Sequence, residues 1–535
     1  MLLIFAWACP PVAAQPADRP NILFFFADDW GRIAGCYRGE RPSISDAAVT
    51  PNIDALAARG VVFESAFVNA PSCTPCRSSL LSGRYFWQTG RGAILRGAVW
   101  DESIPSWPLM LQESGYAIGK SYKVWSPGTP ADAPYGKQKF AFEQAGREFN
   151  NFSQKATAMV KAGISVDAAK AELLAQARGN FARFLDSRQG DDPFCYWFGP
   201  TNTHRRWTQG SGEALWDIDP EALRGKLPAF LPDVPLVRQD MADYLGEIAA
   251  LDAALAELQS ELRERGELDS TLIVVSGDHG PPGFLRGKCN LYDFGTAVPL
   301  IASGPGLAEG VRVETPVSLV DLAPTLLQAA GVEPDPEMVG LSLLPAMRGE
   351  EPTALQQRGT VFAGRERHVD SAREGFLPYP QRSIRTDRHL LIRNFEPDRY
   401  PIGAPYQLDE DPQVQPPVGV KLPPLTFENL AEVTFVTLHD EDAGPTKAYV
   451  VSRRDEPQIR PLYELAYGKR PEVELYDVVA DPDQMQNLAD SAEHAGVREE
   501  LLDRLNQKLR QSGDPRMIDG GAYFENPPLG GVRSE

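Results

Sequence analysis

The chain has 535 residues and a formal net charge of -20. Nucleic-acid phosphates are met by clustered Lys and Arg, so this balance excludes a nucleic-acid binder, and any anion site must be basic locally. The length is too great for one small domain, and six cysteines are too few for a disulfide scaffold.

In chain order, Met1 to Gln15 is apolar and ends in Val12-Ala13-Ala14-Gln15, the small residues of a signal-peptidase site. No later apolar run reaches the roughly 18 residues of a membrane span. Together these predict an exported protein, periplasmic or secreted. Asn21 to Ala27 is continuously apolar, as a strand buried on both faces should be, and runs into Asp28-Asp29. Two adjacent carboxylates suit a helix cap or a solvated turn. For a lone pair that is the better reading, the other being a cation that takes oxygen ligands, calcium or magnesium. Thr50 to Gly60 is punctuated as a helix, with Thr50 as cap, Pro51 in the first turn and Gly60 as stop. Val61 to Phe63 reads as a strand.

The stretch Pro71 to Arg84 then places Cys73 just ahead of a helix start. Pro75 suits a first turn, Leu80 and Leu81 give an apolar face, and Gly83 is a natural stop. A side chain at that entrance faces unpaired N–H groups and the positive end of the dipole, a place to hold an anion. Arg77 adds a planar fork suited to an oxyanion. Cys73 and Cys76 also form a C-x-x-C, which a redox pair or half a zinc site would use, although no second C-x-x-C follows.

Residues 155 to 187 read as helix, and 193 to 198 as an aromatic strand leading to His204. A histidine soon after a buried strand sits where α/β sites form, and it titrates near neutrality, as acid catalysis requires. A lone histidine is also often structural. Asp240 to Arg265 predicts a long amphipathic helix whose stripe is Leu245, Ile248, Leu251, Leu255, Leu258 and Leu262. Ser270 to Val275 predicts a strand that runs into Asp278-His279-Gly280 and repeats the grammar of the first. The texture changes near residue 350, and 396 to 425 is loop-like, rich in Pro and Asp.

Cys73-Thr74-Pro75-Cys76-Arg77, continued by Leu81-Ser82-Gly83-Arg84, resembles the signature of the formylglycine-dependent sulfatases of the alkaline phosphatase superfamily. The strand ending at Asp28-Asp29, the helix at Pro51, Gly115 to Lys123, His204, Asp278-His279 and Lys288 follow in the family's order. The resemblance covers Pro20 to Ala489. Asn290 to Tyr292, Gly295 to Ala297 and His368 are similar to heparan N-sulfatases, the sulfamidases.

The fold this implies is an α/β sandwich, with a mixed, largely parallel central sheet flanked by helices and a smaller C-terminal antiparallel sheet. The implied division is a signal peptide over 1–15, a catalytic domain over 18–350 and a C-terminal subdomain over 351–535 that contributes to the substrate pocket. The resemblance further implies that a maturation enzyme oxidises Cys73 to formylglycine, whose hydrate is the nucleophile. One Ca2+ is expected on Asp28, Asp29, Asp278, His279 and residue 73. Arg77 would orient the hydrate. Lys123 and Lys288 would neutralise the sulfate, His204 would protonate the departing oxygen or nitrogen, and His368 would lie on the substrate side. Trp125 departs from the pattern, standing where the family has a histidine, and it cannot accept a proton. The implied activity is hydrolysis of sulfate esters or sulfamates of carbohydrates, as in glycosaminoglycan degradation. Two alternatives stay open: a phosphodiesterase or phosphonate monoester hydrolase with the same nucleophile, and a non-catalytic binder of sulfated glycans.

Overall fold

The apolar run after Pro20 has no polar face because it needs none. Ile22, Phe24 and Phe26 fall into one core, while Leu23, Phe25 and Ala27 fall into another on the opposite face of the same strand. This is the pattern of a strand covered on both sides. The computed structural model describes residues 19–135, 138–190 and 192–526, and the segment 1–15 read as a signal peptide lies outside them.

Among the described residues the strands are β1 (Asn21–Ala27), β2 (Val61–Phe63), β3 (Ala66–Phe67), β4 (Ala117–Tyr122), β5 (Phe194–Gly199), β6 (Thr271–Gly277), β7 (Leu300–Ser303), β8 (Val311–Val313), β9 (Val317–Ser318), β10 (Val361–Arg365), β11 (Gln381–Arg385), β12 (His389–Asn394) and β13 (Val473–Asp477). Seven of them make the main sheet, in the order β4-β5-β1-β6-β7-β2-β8. Strands β4, β5, β1 and β6 run parallel, β7 is antiparallel to both its neighbours, and β2 and β8 are parallel. A four-stranded antiparallel sheet, β10-β11-β12-β13, lies in the C-terminal part. The mixed, largely parallel sheet between helices and the separate antiparallel sheet are the architecture the sequence predicts.

Two helical layers close the main sheet. On one face lies the long helix Pro235–Glu264, whose stripe from Leu245 to Leu262 packs with Leu23, Phe25, Ile273 and Val275. It begins at Pro235, five residues before the expected start. On the other face lie α1 (Pro51–Ala58)'s successor in the chain, α2 (Cys73–Ser82), and the helix Leu322–Ala329, which bury Leu80, Leu81, Leu326 and Leu327.

Three local readings are corrected. The expected helix over 155–187 is two, Phe152–Lys161 and Val166–Ser187. Gly163 takes a left-handed φ of 97° between them, and Ser165 caps the second by accepting from the Ala168 N–H. Thr50 does not cap α1: its hydroxyl accepts from Gly35 N–H at 2.7 Å and lies 3.1 Å from Asp54. Cys73 is the first residue of α2 rather than the one before it, with extended Ser72 in the cap position.

The antiparallel sheet is tied to the segments that flank the site, the loop before α2 and the turn after Lys288. Asn69 donates to the Phe362 carbonyl at 2.7 Å, Gly364 N–H returns to the Asn69 carbonyl at 2.9 Å, and Arg385 grips Asp293 with two hydrogen bonds of 3.0 and 2.9 Å.

Candidate active site

The four parallel strands end side by side, and each delivers a polar group at its carboxyl end, where α/β sites form. Strand β4 leads to Lys123, β5 to His204, β1 to Asp28 and Asp29, and β6 to Asp278 and His279. The ends are stitched by backbone bonds: Asp28 N–H to the Pro200 carbonyl at 2.9 Å, Asp278 N–H to the Ala27 carbonyl at 3.1 Å, and Lys123 N–H to the Gly199 carbonyl at 2.9 Å. Successive residues of a strand point to opposite faces. Asp29 escapes that rule with a left-handed φ of 54°, which directs its carboxylate to the same site as that of Asp28. Its N–H is fixed by Asp278 Oδ1 at 2.7 Å, and its carbonyl accepts from Tyr244 on the long helix at 2.9 Å.

Cys73 stands at the entrance of α2, fully surrounded. Its Sγ lies 3.5 Å from His279 Nε2 and 4.0 Å from Asp29 Oδ1. Burial pushes the thiol up from its ordinary range, and the Asp28 charge adds to this. Cys76 is raised likewise, by burial and then by Asp278, the opposite of the shift a redox C-x-x-C uses.

Arg77 departs from the sequence reading. Its Nε donates to Asp278 at 2.9 Å, its Nη2 to Asp28 at 3.0 Å, and its Nη1 to the carbonyls of Lys123 and Val124 at 3.3 and 3.1 Å. The fork is spent on two carboxylates and two carbonyls. Arg77 therefore holds the acidic pair in place rather than facing an anion or a hydrate directly.

Both lysines converge. Lys123 Nζ lies 2.6 and 2.8 Å from the two oxygens of Asp28. Burial alone would lower its pKa, but Asp28 more than compensates and raises it, so it stays charged. Lys288 Nζ lies 3.0 Å from Asp29 Oδ2. The next residue anchors its loop, Cys289 N–H donating to the Pro71 carbonyl at 2.8 Å, just before Cys73. Asp28 is pulled well below the carboxylate range, because Lys123 and Arg77 outweigh its burial. Asp278 moves up, through burial.

His204 is the open member, 39 % exposed, with Nε2 3.9 Å from Asp29 Oδ2. His368 comes from the turn after β10 and reaches Ser72 Oγ with Nδ1 at 2.8 Å. Burial pushes its pKa down to about 3, so it is neutral near pH 7. Trp125 is wholly buried, with its indole N–H given to Ser78 Oγ at 2.8 Å and its ring edge-on to Trp100. It props α2 instead of carrying a proton.

Donor atoms within 4.8 Å of one another group as Asp29, Cys73 and His279, as Asp28, Cys73 and Asp278, and as Asp28, Asp29 and His204. Asp28 groups with Asp278 in one set and with Asp29 in another, and these buried carboxylates are the hard oxygen donors that calcium takes, so the residues present fit a divalent ion of that kind. The structure thus brings together every residue singled out from the sequence. Sequence reading missed Asp442, whose Oδ2 lies 3.1 Å from Lys288 Nζ, and Ser72, the partner of His368. The signal for Asp442 was an acidic run, Asp440-Glu441-Asp442, just before the helix start at Pro445.

A carboxylate cluster, two converging lysines and a residue at a helix entrance, all on the carboxyl edge of a parallel sheet, define an α/β hydrolase of alkaline-phosphatase-like fold that works on a tetrahedral oxyanion. The model of the sulfatase family matches residues 20–332. The chain is 30% identical over 520 residues to N-sulphoglucosamine sulphohydrolase from Homo sapiens, covering 93% of this chain and 91% of that one. It is 22% identical over 601 residues to N-acetylglucosamine-6-O-sulfatase from Bacteroides thetaiotaomicron, covering 95% and 89%. Among solved structures, a protein in complex with its substrate D-glucosamine-2-N,6-O-disulfate superposes with a TM-score of 0.58 at 18% identity, over 94% of this chain and 99% of that one. A phosphonate monoester hydrolase of Agrobacterium radiobacter gives 0.60 at 19%, over 94% and 97%, a likeness of fold. The chain belongs to the sulfatase family and is a sulfuric ester hydrolase.

Among the described residues no helix is long and apolar enough to cross a membrane.

Proposed function

We propose that this sulfatase removes sulfate from sulfated amino sugars of glycosaminoglycan type, with the sulfamate of N-sulfoglucosamine as its foremost substrate. The observation that carries the reading is the pair of lysines that bracket residue 73: Lys123 and Lys288 each lie on a carboxylate of the cluster, at 2.6 and 3.0 Å. The near full-length likeness to the human sulphohydrolase supports the sulfamate. Residue 73 is matured from cysteine to formylglycine by a separate enzyme, and calcium is held by Asp28, Asp29 and Asp278, with His279 alongside. When bound, the ion supplies positive charge that polarises the sulfate oxygens.

The chain's own residues do the rest. Arg77 fixes Asp28 and Asp278 so that their oxygens face the site. Lys123 and Lys288 neutralise the charge that grows on the sulfate oxygens, in a buried site where such interactions are strong. His204, the exposed member, donates a proton to the departing atom on the side open to solvent. His368, neutral and tethered to Ser72, borders the substrate side. The protein works after export, in the periplasm or outside the cell.

The test is a panel of N-sulfoglucosamine, O-sulfated glucosamines, an aryl sulfate and matched phosphate and phosphonate monoesters, given to protein co-produced with its maturation enzyme. Released sulfate from the N-sulfated sugar is expected to lead the panel. Preferential release of phosphate or phosphonate would replace the reading with the phosphonate hydrolase alternative, and silence on every member would replace it with a binder of sulfated glycans.

A further inference from the structure

Asp440, Glu441 and Asp442 are consecutive, and the fold consumes two of them. Asp440 is buried between Arg365 and Arg373, 2.7 Å from the latter, and accepts from Val369 N–H at 3.1 Å. Glu441 takes the Tyr467 hydroxyl. Lys447 donates to the carbonyls of Leu438 and Glu441 at 3.1 and 2.7 Å and clamps the segment from below. What these bonds fix in space is the third acid.

Asp442 meets the site. Its Oδ2 is buried and pairs with Lys288 Nζ at 3.1 Å, with no second partner among the described residues. The exposure left to the side chain, 17%, belongs to the rest of it. Burial would raise its carboxyl, but the Lys288 ammonium outweighs burial and holds it ionised, with His204 and His368 nearby. All three of those residues belong to the site described above.

A carboxylate beside an anion site repels sulfate. It helps only a group that donates hydrogen bonds or carries positive charge. The two sulfate chemistries differ in that respect. Hydrolysis of a sulfamate turns R–NH–SO3⁻ and water into R–NH3⁺ and sulfate dianion: the S–N bond breaks, nitrogen keeps the electron pair, and nitrogen takes up two protons. Hydrolysis of a sulfate ester leaves a neutral hydroxyl. A carboxylate meets an ammonium with a charge-assisted hydrogen bond and a hydroxyl with a weaker one. It also screens the new cation from Lys288.

We infer that Asp442 is the specificity-determining residue that favours a nitrogen leaving group, receiving the emerging ammonium next to Lys288. This deepens the proposed function and rests on its amino-sugar substrate. The test compares wild type with Asp442→Asn, both matured, on N-sulfoglucosamine and on an O-sulfated glucosamine. The substitution is expected to lower kcat/KM for the N-sulfate by about 10- to 100-fold more than for the O-sulfate, the range for one hydrogen bond to a charged group. Equal losses on both would overturn the inference and leave Asp442 as a support for Lys288. A second measurement needs no turnover: calorimetric binding of glucosamine and of glucose to the unmatured protein with calcium. Wild type should prefer glucosamine and Asp442→Asn should lose that preference. Equal binding of the two sugars by wild type would overturn the inference even if N-sulfate is hydrolysed. If N-sulfate is not hydrolysed while O-sulfate is, the substrate reading fails, and the amine preference in binding still decides the role of Asp442.

Discussion

Buried charge in this protein is of two kinds, and only one of them makes a site. In the C-terminal part, Arg382 spans Glu366 and Asp514 at 2.8 and 2.6 Å, and Arg516 pairs with Glu366 again at 2.6 Å. Every partner there is a guanidinium fork on a carboxylate, and each charge is answered inside the cluster. At the edge of the main sheet the members are lysines, imidazoles, three carboxylates and a thiol, gathered from four strand ends and a helix entrance. Lysine is a point charge on a flexible stem, free to follow a ligand, whereas the arginine fork is preorganised for one partner. The contrast teaches that buried charge by itself marks nothing. Convergence on a reactive residue, with mobile cations among the partners, marks chemistry. Arg77 shows the rule inside the site, since its fork locks Asp28 and Asp278 and leaves the ligand to the lysines.

The comparison can be broken from either side. Cys73→Ala should abolish turnover, by at least about 10⁴-fold, as removing a nucleophile does. Thermal unfolding should move little, and a variant that keeps activity would end the distinction. Arg382→Met should do the reverse. Removing one partner of a buried ion pair costs about 3–5 kcal/mol, so denaturant unfolding should shift strongly while kcat/KM per folded molecule holds. Lys123→Ala is expected to cost about 10²-fold in kcat/KM, the size of losing one preorganised charge-stabilising donor. Sulfate-release kinetics read this, and an unchanged rate would remove Lys123 from the chemistry.

The smallest effect is in acid. His368 and His439 are buried with pKa values pushed down by burial to about 3 and about 4, from 6.5. The unfolded chain then binds more protons than the folded one between those values. Stability is full above pH 6.5 and falls as pH drops toward 4, by about 1 kcal/mol per histidine between roughly pH 7 and 5.5. His439→Gln should flatten that limb in urea melts taken across the range, and an equally steep limb would show that other groups carry it.

Much of this was legible in the chain. The β1 run was apolar from Ile22 to Ala27, so burial on both faces was readable, and Asp28-Asp29 at its end became a site only through the resemblance to the sulfatases. The Cys73 to Arg77 motif announced its helix. What sequence could not give was direction. Only the φ of Asp29 shows that adjacent acids share a target, and only tertiary packing shows that Trp125 turns under α2 to Ser78. Arg77 looked free because its partners lie 49 and 201 residues away. Asp442 hid in an acidic run, since nothing local separates the acid that faces Lys288 from the two that the fold uses up.

One measurement bears on the whole account. Preparations made with graded amounts of the maturation enzyme would each be scored for the fraction of residue 73 converted from thiol to aldehyde, by peptide mass, and for sulfate released from N-sulfoglucosamine. Activity should rise in proportion to conversion and extrapolate to zero for the pure thiol form. Full activity in protein whose Cys73 is intact would contradict it.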